Sequence, residues 1–287
     1  MADASIGRRG FRLRRPSIVS DIINMGLYGR LALLRTDPSC IFKFCSDNPE
    51  AIASLEQEKR IYTILGPHRF IANLHWVSER GLCFEYYPLG SLRSYYRTLL
   101  PDLPPLSDRV RWCRQLVEGV AYIHSKNIIH NDITADNVLL SSSMDIKICD
   151  FGFASMVGED LTGGTETRYC RVSLFSEGQS CVLDDLFSMG SLFYEILLGS
   201  RPYEDSGSTE VLKKYKARMF PSLEIVKPES YGNVISKCWN EQYQAISDLQ
   251  NDLPPLIMES TSSDNLVNSS GDAALCSVDV CSRGTAG

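Results

Sequence analysis

The sequence predicts an α+β fold of two lobes, a small β-rich lobe followed by a larger α-helical one. Three observations carry this. Residues 17–47 fall into short apolar runs of strand length. Apolar residues recur at helical spacing through 108–124. Strand-like runs stop near Pro88, and helical patterning dominates after it. With 287 residues, 44% of them apolar, the chain can bury a sizeable core in one or two domains.

Taken in order, residues 1–17 read as a basic flexible arm with little apolar pattern. An organelle presequence, a nuclear address, a modification site at Ser17 in R-R-P-S, or a solvated tail all remain open there. The runs S-I-V-S-D-I-I, R-L-A-L-L and C-I-F-K-F-C then suit three strands. A helix is expected from Pro49 to about Leu65, with Asn48 as its N-cap and Pro49 at its first position. Two further strands are expected at 71–77 and 81–87. In 108–124, Val110, Cys113, Leu116, Val117, Val120 and Ile123 share one helix face, and Ser107 is placed to cap it. The string D-L-P-P-L occurs at 102–106 and 252–256; two copies so far apart read as helix breakers, not as a repeat. The expected organisation is an arm at 1–17, a folded domain at 18–252 divided at 88/89, and a disordered, acidic, Ser-rich tail at 253–287.

Bulk properties exclude several classes. The net charge of −6 argues against a nucleic-acid binder, although residues 1–35 carry seven Arg against two Asp. The ten cysteines show no C-x-x-C pair and no zinc-like spacing. Cys40, Cys83, Cys149 and Cys238 sit among apolar residues and read as reduced core residues. No apolar run reaches membrane-spanning length, so an intracellular protein, cytoplasmic or nuclear and without a membrane partner, is expected.

The chemistry concentrates in H-N-D-I-T-A-D-N-V-L-L-S-S-S-M-D-I-K-I-C-D-F-G, from His130 to Gly152. Two carboxylates, Asp132 and Asp150, are accompanied by one amide, Asn137. One carboxylate can take a proton from an attacking hydroxyl. The other, with the amide, can hold a divalent cation on phosphates. The alternative is a polar turn between two strands. Upstream, Glu58 shares a helix face with Ala51, Leu55, Ile61, Tyr62 and Leu65, an apolar setting that is costly for a carboxylate without a cation. Lys43, in I-F-K-F, is the candidate partner; otherwise Glu58 is a solvated helix residue and Lys43 an edge-strand charge.

These motifs resemble the protein kinases. H-x-D-x-x-x-x-N matches at His130, Asp132 and Asn137, and D-F-G at Asp150–Gly152. C-I-F-K resembles the strand motif of the family lysine. N-M-G-L-Y-G-R-L resembles the glycine-rich loop, with Gly26 and Gly29 kept and Asn24 in place of the first glycine; alone it reads as a hairpin turn. L-C-F-E-Y-Y-P-L-G-S-L resembles the hinge. The resemblance implies a bilobal protein-kinase-like fold over about 18–252 that binds ATP and Mg²⁺ or Mn²⁺. It implies Asp132 as base and Asn137 and Asp150 as metal ligands. It implies that Lys43, held by Glu58, contacts the phosphates. Gly26 and Gly29 would cover them, and Glu85 and Tyr87 would offer backbone groups to adenine beside a Phe84 gatekeeper. His130 would pack the D-F-G turn, and Asp185, in D-L-F-S-M-G, would brace the catalytic loop. Ser91 replaces the usual ribose-binding acid.

The departures bear on activity. Asn131 replaces the arginine of H-R-D, which removes the usual receiver of a segment phosphate. Thr134 replaces the loop lysine, and Asp136 occupies the place of the tyrosine-kinase arginine. T-R-Y-C-R-V-S-L resembles T-R-Y-Y-R-A-P-E, but Leu174 stands for its glutamate and Gln244 for that glutamate's arginine partner. Thr167 fits the substrate-loop threonine. The loop is also similar to the H-G-D-I-S of fungal kinase-like proteins. The resemblance implies an ATP-dependent Ser/Thr kinase with a protein substrate. A pseudokinase that binds nucleotide or a partner with little turnover is the alternative, and a small-molecule kinase a lesser one. Oligomeric state is not specified.

Overall fold

The protein is seen in a computed structural model that describes residues 16–25, 29–99, 101–160, 163, 165–172 and 179–254. The arm before Pro16, Gly26, Leu174 and the tail from Pro255 lie outside the described residues.

The N-terminal region forms an antiparallel five-stranded sheet: β1 (Val19–Met25), β2 (Arg30–Leu34), β3 (Cys40–Phe44), β4 (Leu74–Ser78) and β5 (Gly81–Glu85), in the order β1-β2-β3-β5-β4. The strand expected at 71–77 begins at Leu74, because Ile71 instead bridges Ile148 of the other lobe. In β3 the period-two alternation of a pleated strand buries Cys40, Phe42 and Phe44 on one face, against Val19, Ala32, Leu34 and Cys83. Ile41 and Lys43 therefore point to the opposite face. Lys43 pairs with Leu31 on one side and Leu82 on the other, so it is central and the edge-strand reading is excluded.

Helix α1 spans Pro49–Leu65, with the expected bounds. The Asn48 side chain accepts a hydrogen bond from the Glu50 N–H at 2.9 Å, which satisfies one orphan donor of the first turn. Gly66, at φ 63°, ends the helix.

Helices α2 (Leu92–Leu99) and α3 (Leu106–Ser125) open the helical region. Ser107 does not cap α3. The helix begins one residue earlier, after Pro105, whose carbonyl already accepts from the Asp108 and Arg109 N–H groups. Pro104–Pro105 sets the entry instead. Most of the expected apolar face holds: Cys113, Leu116, Val117, Val120 and Ile123 are buried together with Trp112, while Val110 is only half-buried.

After α3 come four short strands: β6 (Ile128–Ile129), β7 (Val138–Leu140), β8 (Ile146–Ile148) and β9 (Ser155–Met156), paired β6 with β9 and β7 with β8. These pairings place 130–137 beside 149–154. A 3₁₀ turn at Thr167–Tyr169 precedes α4 (Val182–Leu198), α5 (Ser208–Lys216), α6 (Glu229–Trp239) and α7 (Ile246–Asp252). Helix α4 is buried continuously from Asp184 to Leu197. A helix enclosed on all sides carries polar residues only where they are paired, and its Asp184, Asp185, Ser188 and Glu195 all have partners.

Cys40, Cys83 and Cys238 are buried free thiols, as expected. Cys149 differs: it is only half-buried and lines the cleft between the lobes, because it directly precedes Asp150, which faces that cleft. No helix among the described residues is long and apolar enough to cross a membrane.

Candidate active site

A cleft of about 770 Å³ lies between the sheet and the helical region. Its size is within the roughly 300–1,000 Å³ usual for cofactor and ligand sites. Lys43, Glu58, Phe84, Glu85, Tyr87, Asp132, Asn137 and Asp150 all line it, although they are spread over much of the chain. The structure brings together every sequence-predicted site residue that it describes.

Lys43 is the electrostatic centre. Its Nζ lies 2.6 Å from Glu58 Oε2 and 2.9 Å from Asp150 Oδ1. Burial lowers the lysine pKa, but Asp150 and Glu58 more than reverse this, so Lys43 stays protonated. Burial also raises Asp150, and Lys43 more than offsets it, leaving Asp150 ionised below the usual carboxylate range. Glu58 is the opposite case. Burial pushes it up to about 7 despite Lys43 beside it.

A carboxyl raised on folding binds its proton more tightly in the native than in the unfolded state. Its stabilising contribution is complete below its ordinary value of 4.5 and is lost as pH rises toward about 7. The stability advantage of wild type over Glu58→Gln should therefore shrink as pH rises through that window. Denaturant midpoints of both proteins across the range check this; an advantage that grew with pH would refute the assignment.

Helix α1 fixes Glu58 by gripping the segment after Asp150. Ser54 Oγ donates to the Gly152 carbonyl at 3.3 Å, Gln57 Nε2 to the Ala154 carbonyl at 2.7 Å, and Arg60 pairs with Glu159 at 2.8 Å. A Cβ on Gly152 would sit 2.3 Å from Ser54 Oγ, so only glycine permits this approach. A Cβ on Gly29 would sit 2.9 Å from Lys43 Cε, which places the glycine backbone directly over the lysine.

The D-F-G turn is held from below. Phe151 packs between Tyr62 and His130, with ring centroids 5.0 and 4.7 Å away. His130 is fully buried, and its Nε2 meets the Cys149 carbonyl at 3.1 Å, so its part is structural. Asp185, also fully buried, accepts from the His130 and Asn131 N–H groups, each at 2.9 Å. Asp150 itself adopts φ 63°, a left-handed conformation that a short polar residue tolerates.

In the catalytic loop, Asn137 Nδ2 donates to Asp132 Oδ2 at 2.7 Å and to the Asp132 carbonyl at 2.9 Å. Its amide nitrogen is thereby committed, and its oxygen is the end left for a cation. Burial raises the Asp132 pKa above the ordinary carboxylate value, opposed by the Thr165 hydroxyl, His130 and Asn137. Thr167 begins the 3₁₀ turn, and Glu166 just before it is clamped by Arg168 at 3.2 Å and Arg201 at 2.9 Å.

Two residues of the loop and of the segment acquire partners. Asn131 sits at φ 65°, and its Nδ2 donates at 2.9 Å to both the Phe153 carbonyl and Ser155 Oγ. Asparagine is suited to that conformation, and the amide anchors the segment after D-F-G. Arg171 is buried against Asp184 at 2.7 Å and Glu241 at 3.4 Å. This cluster ties the segment end to α4 and to the turn that follows α6. Ser91 is spent locally: its Oγ accepts from the Ser94 N–H at 3.2 Å and caps α2.

The family described as "Protein tyrosine and serine/threonine kinase" matches residues 34–251. The chain belongs to the protein kinase family. Among curated relatives it is 27% identical over 197 residues to testis-specific serine/threonine-protein kinase 4 of Homo sapiens, covering 61% of this chain and 54% of that protein. It is 28% identical over 182 residues to protein-tyrosine kinase 6 of Mus musculus, covering 60% and 40%. It is 32% identical over 176 residues to serine/threonine-protein kinase pkpA of Phycomyces blakesleeanus, covering 58% and 27%. The matched part thus spans about half the length of the first of these relatives and less of the others. This kinase domain, with its β-sheet N-terminal region and helical C-terminal region, resembles serine/threonine and tyrosine kinases alike.

Proposed function

We propose that this kinase transfers the γ-phosphoryl group of Mg-ATP to a Ser or Thr hydroxyl of a protein. The observation that carries the reading is the Glu58–Lys43–Asp150 chain of contacts, at 2.6 and 2.9 Å, standing over Asp132 and Asn137 in one cleft. The donor set fits the cofactor. Asn137 and Asp150 offer two hard oxygen ligands. This suits Mg²⁺, which usually takes one or two carboxylates plus phosphate oxygens and waters.

In this reading Lys43 holds the phosphates, and Glu58 keeps the lysine extended toward them. Gly29, with Gly26, lets backbone N–H groups approach without a Cβ in the way. Glu85 and Tyr87 present backbone groups to the base. The Tyr87 side chain is turned to the hinge itself, accepting from the Asn73 N–H and donating to Glu85, both at 3.1 Å. When bound, Mg-ATP supplies the phosphoryl group and the charge that neutralises it. Asp132 accepts the proton of the attacking hydroxyl, and its raised pKa moves it toward the working pH of a general base.

A second reading, a binding module with little turnover, is favoured by one observation. Thr134, at the place of the loop lysine, is 5% exposed and brings no charge to the acceptor side. The deciding experiment is phosphate transfer from γ-labelled ATP to a panel of protein acceptors, with phospho-amino-acid analysis. Label on Ser or Thr supports the proposal, and label on Tyr corrects its specificity. A thermal shift that needs both ATP and Mg²⁺, with no transfer, replaces it with the binding module. Mg²⁺ alone is expected to leave Tm unchanged, because two protein ligands without phosphates hold it weakly.

A further inference from the structure

Arg93 lies in the first turn of α2, just past the hinge, and its side chain is only 9% exposed. Its guanidinium fork meets four side chains. Nε donates to Glu195 Oε1 at 3.1 Å. Nη2 donates to Glu195 Oε2 at 3.2 Å and to the Tyr169 hydroxyl at 2.9 Å. Nη1 donates to Asp136 and, at 3.3 Å, to Glu166. Its backbone N–H also donates to the Ala135 carbonyl at 3.2 Å. One residue therefore joins the hinge side of the cleft, the catalytic loop, the end of the activation segment and the core helix α4.

We propose that Arg93 is a positioning residue that assembles the acceptor side of the site without a phosphate on the chain. It holds Asp136, which sits next to Asn137. It also holds Glu166, in the segment that follows D-F-G and leads into the 3₁₀ turn. Asn131 secures the start of the segment through Phe153 and Ser155; Arg93 secures its end. Together they supply from within the chain what a phosphate received by an H-R-D arginine would supply.

The contacts divide by burial. Glu195 is 5% exposed, so its pairing with Arg93 belongs to the fold. Asp136 is 56% exposed, and without it the buried Arg93 still pairs with Glu195, so this contact can be removed without leaving the guanidinium unpaired. The loop contact can therefore be tested apart from stability.

This inference rests on the phosphotransfer reading, and its test keeps the two apart. Asp136→Ala should leave Tm and the KM for ATP unchanged and lower kcat roughly 10- to 100-fold, as expected for a misplaced catalytic loop. Arg93→Ala should lose more, and guanidinium ion added to the assay should restore part of its kcat. Phosphatase treatment of wild type should leave kcat unchanged. An unaltered kcat in Asp136→Ala, or loss of wild-type kcat after phosphatase, overturns the proposal. If wild type transfers nothing, the phosphotransfer reading fails by itself. Hydrogen exchange then decides the positioning: faster exchange across 130–137 in Asp136→Ala, with α4 unchanged, upholds it, and unchanged exchange in the loop overturns it.

Discussion

Asp132→Asn is expected to lower phosphoryl transfer roughly 10²- to 10⁴-fold, the usual contribution of a positioned general base. The substitution is close to isosteric. An asparagine oxygen can still accept from Asn137 Nδ2, which donates to Asp132 Oδ2 at 2.7 Å in the wild type. The loop geometry should therefore persist, and only proton acceptance is lost. Mg-ATP should raise Tm of the variant as it does that of the wild type, since Lys43 and Asp150 are untouched. Single-turnover transfer and nucleotide-induced Tm shifts, measured on the same preparations, read the two quantities. Equal transfer rates in the two proteins would remove Asp132 from the reaction and make any phosphate release a contaminant's work.

Lys43→Met is expected to abolish the nucleotide-induced Tm shift and, above pH 7, to destabilise the domain by about 3 kcal/mol, the order expected when a buried ion pair loses one partner. The reason is Glu58, 2% exposed, which would then be ionised with no cation against it. Its pKa is already raised to about 7 by burial, so in the variant it takes up a proton easily and the loss should be smaller at pH 6 than at pH 8. Lys43→Met/Glu58→Leu should recover most of the stability and none of the nucleotide response. Denaturant titrations at both pH values check the first point. A double variant as unstable as the single one would place the cost elsewhere in the cleft.

Much of this was legible in the chain because it follows from local rules. Helix α1 has the bounds that Asn48, Pro49 and Gly66 dictate. The five strands follow their apolar runs, and the site residues meet where the motifs place them. Where the expectation missed, a competing local effect had won. Pro104–Pro105 set the entry to α3 before Ser107 could cap it. Cys149 looked like core from its apolar neighbours, yet it directly precedes Asp150, which faces the cleft.

The sequence by itself determined the two-lobed fold, the kinase resemblance and the residues proposed to hold a nucleotide and a metal. Periodicity, caps and motif spacing are properties of neighbouring residues, so a linear reading captures them. Only the tertiary structure decided which distant groups these side chains meet. Asn131 became an anchor for Phe153 and Ser155. Arg171 was buried against Asp184 and Glu241. Arg93 was drawn to Glu195, 102 residues away. The physical reason is that a buried charge is tolerated only beside its partner. Which partner lies beside it depends on how β6 and β9, the loop and α4 come together, a matter of packing that spacing along the chain does not record.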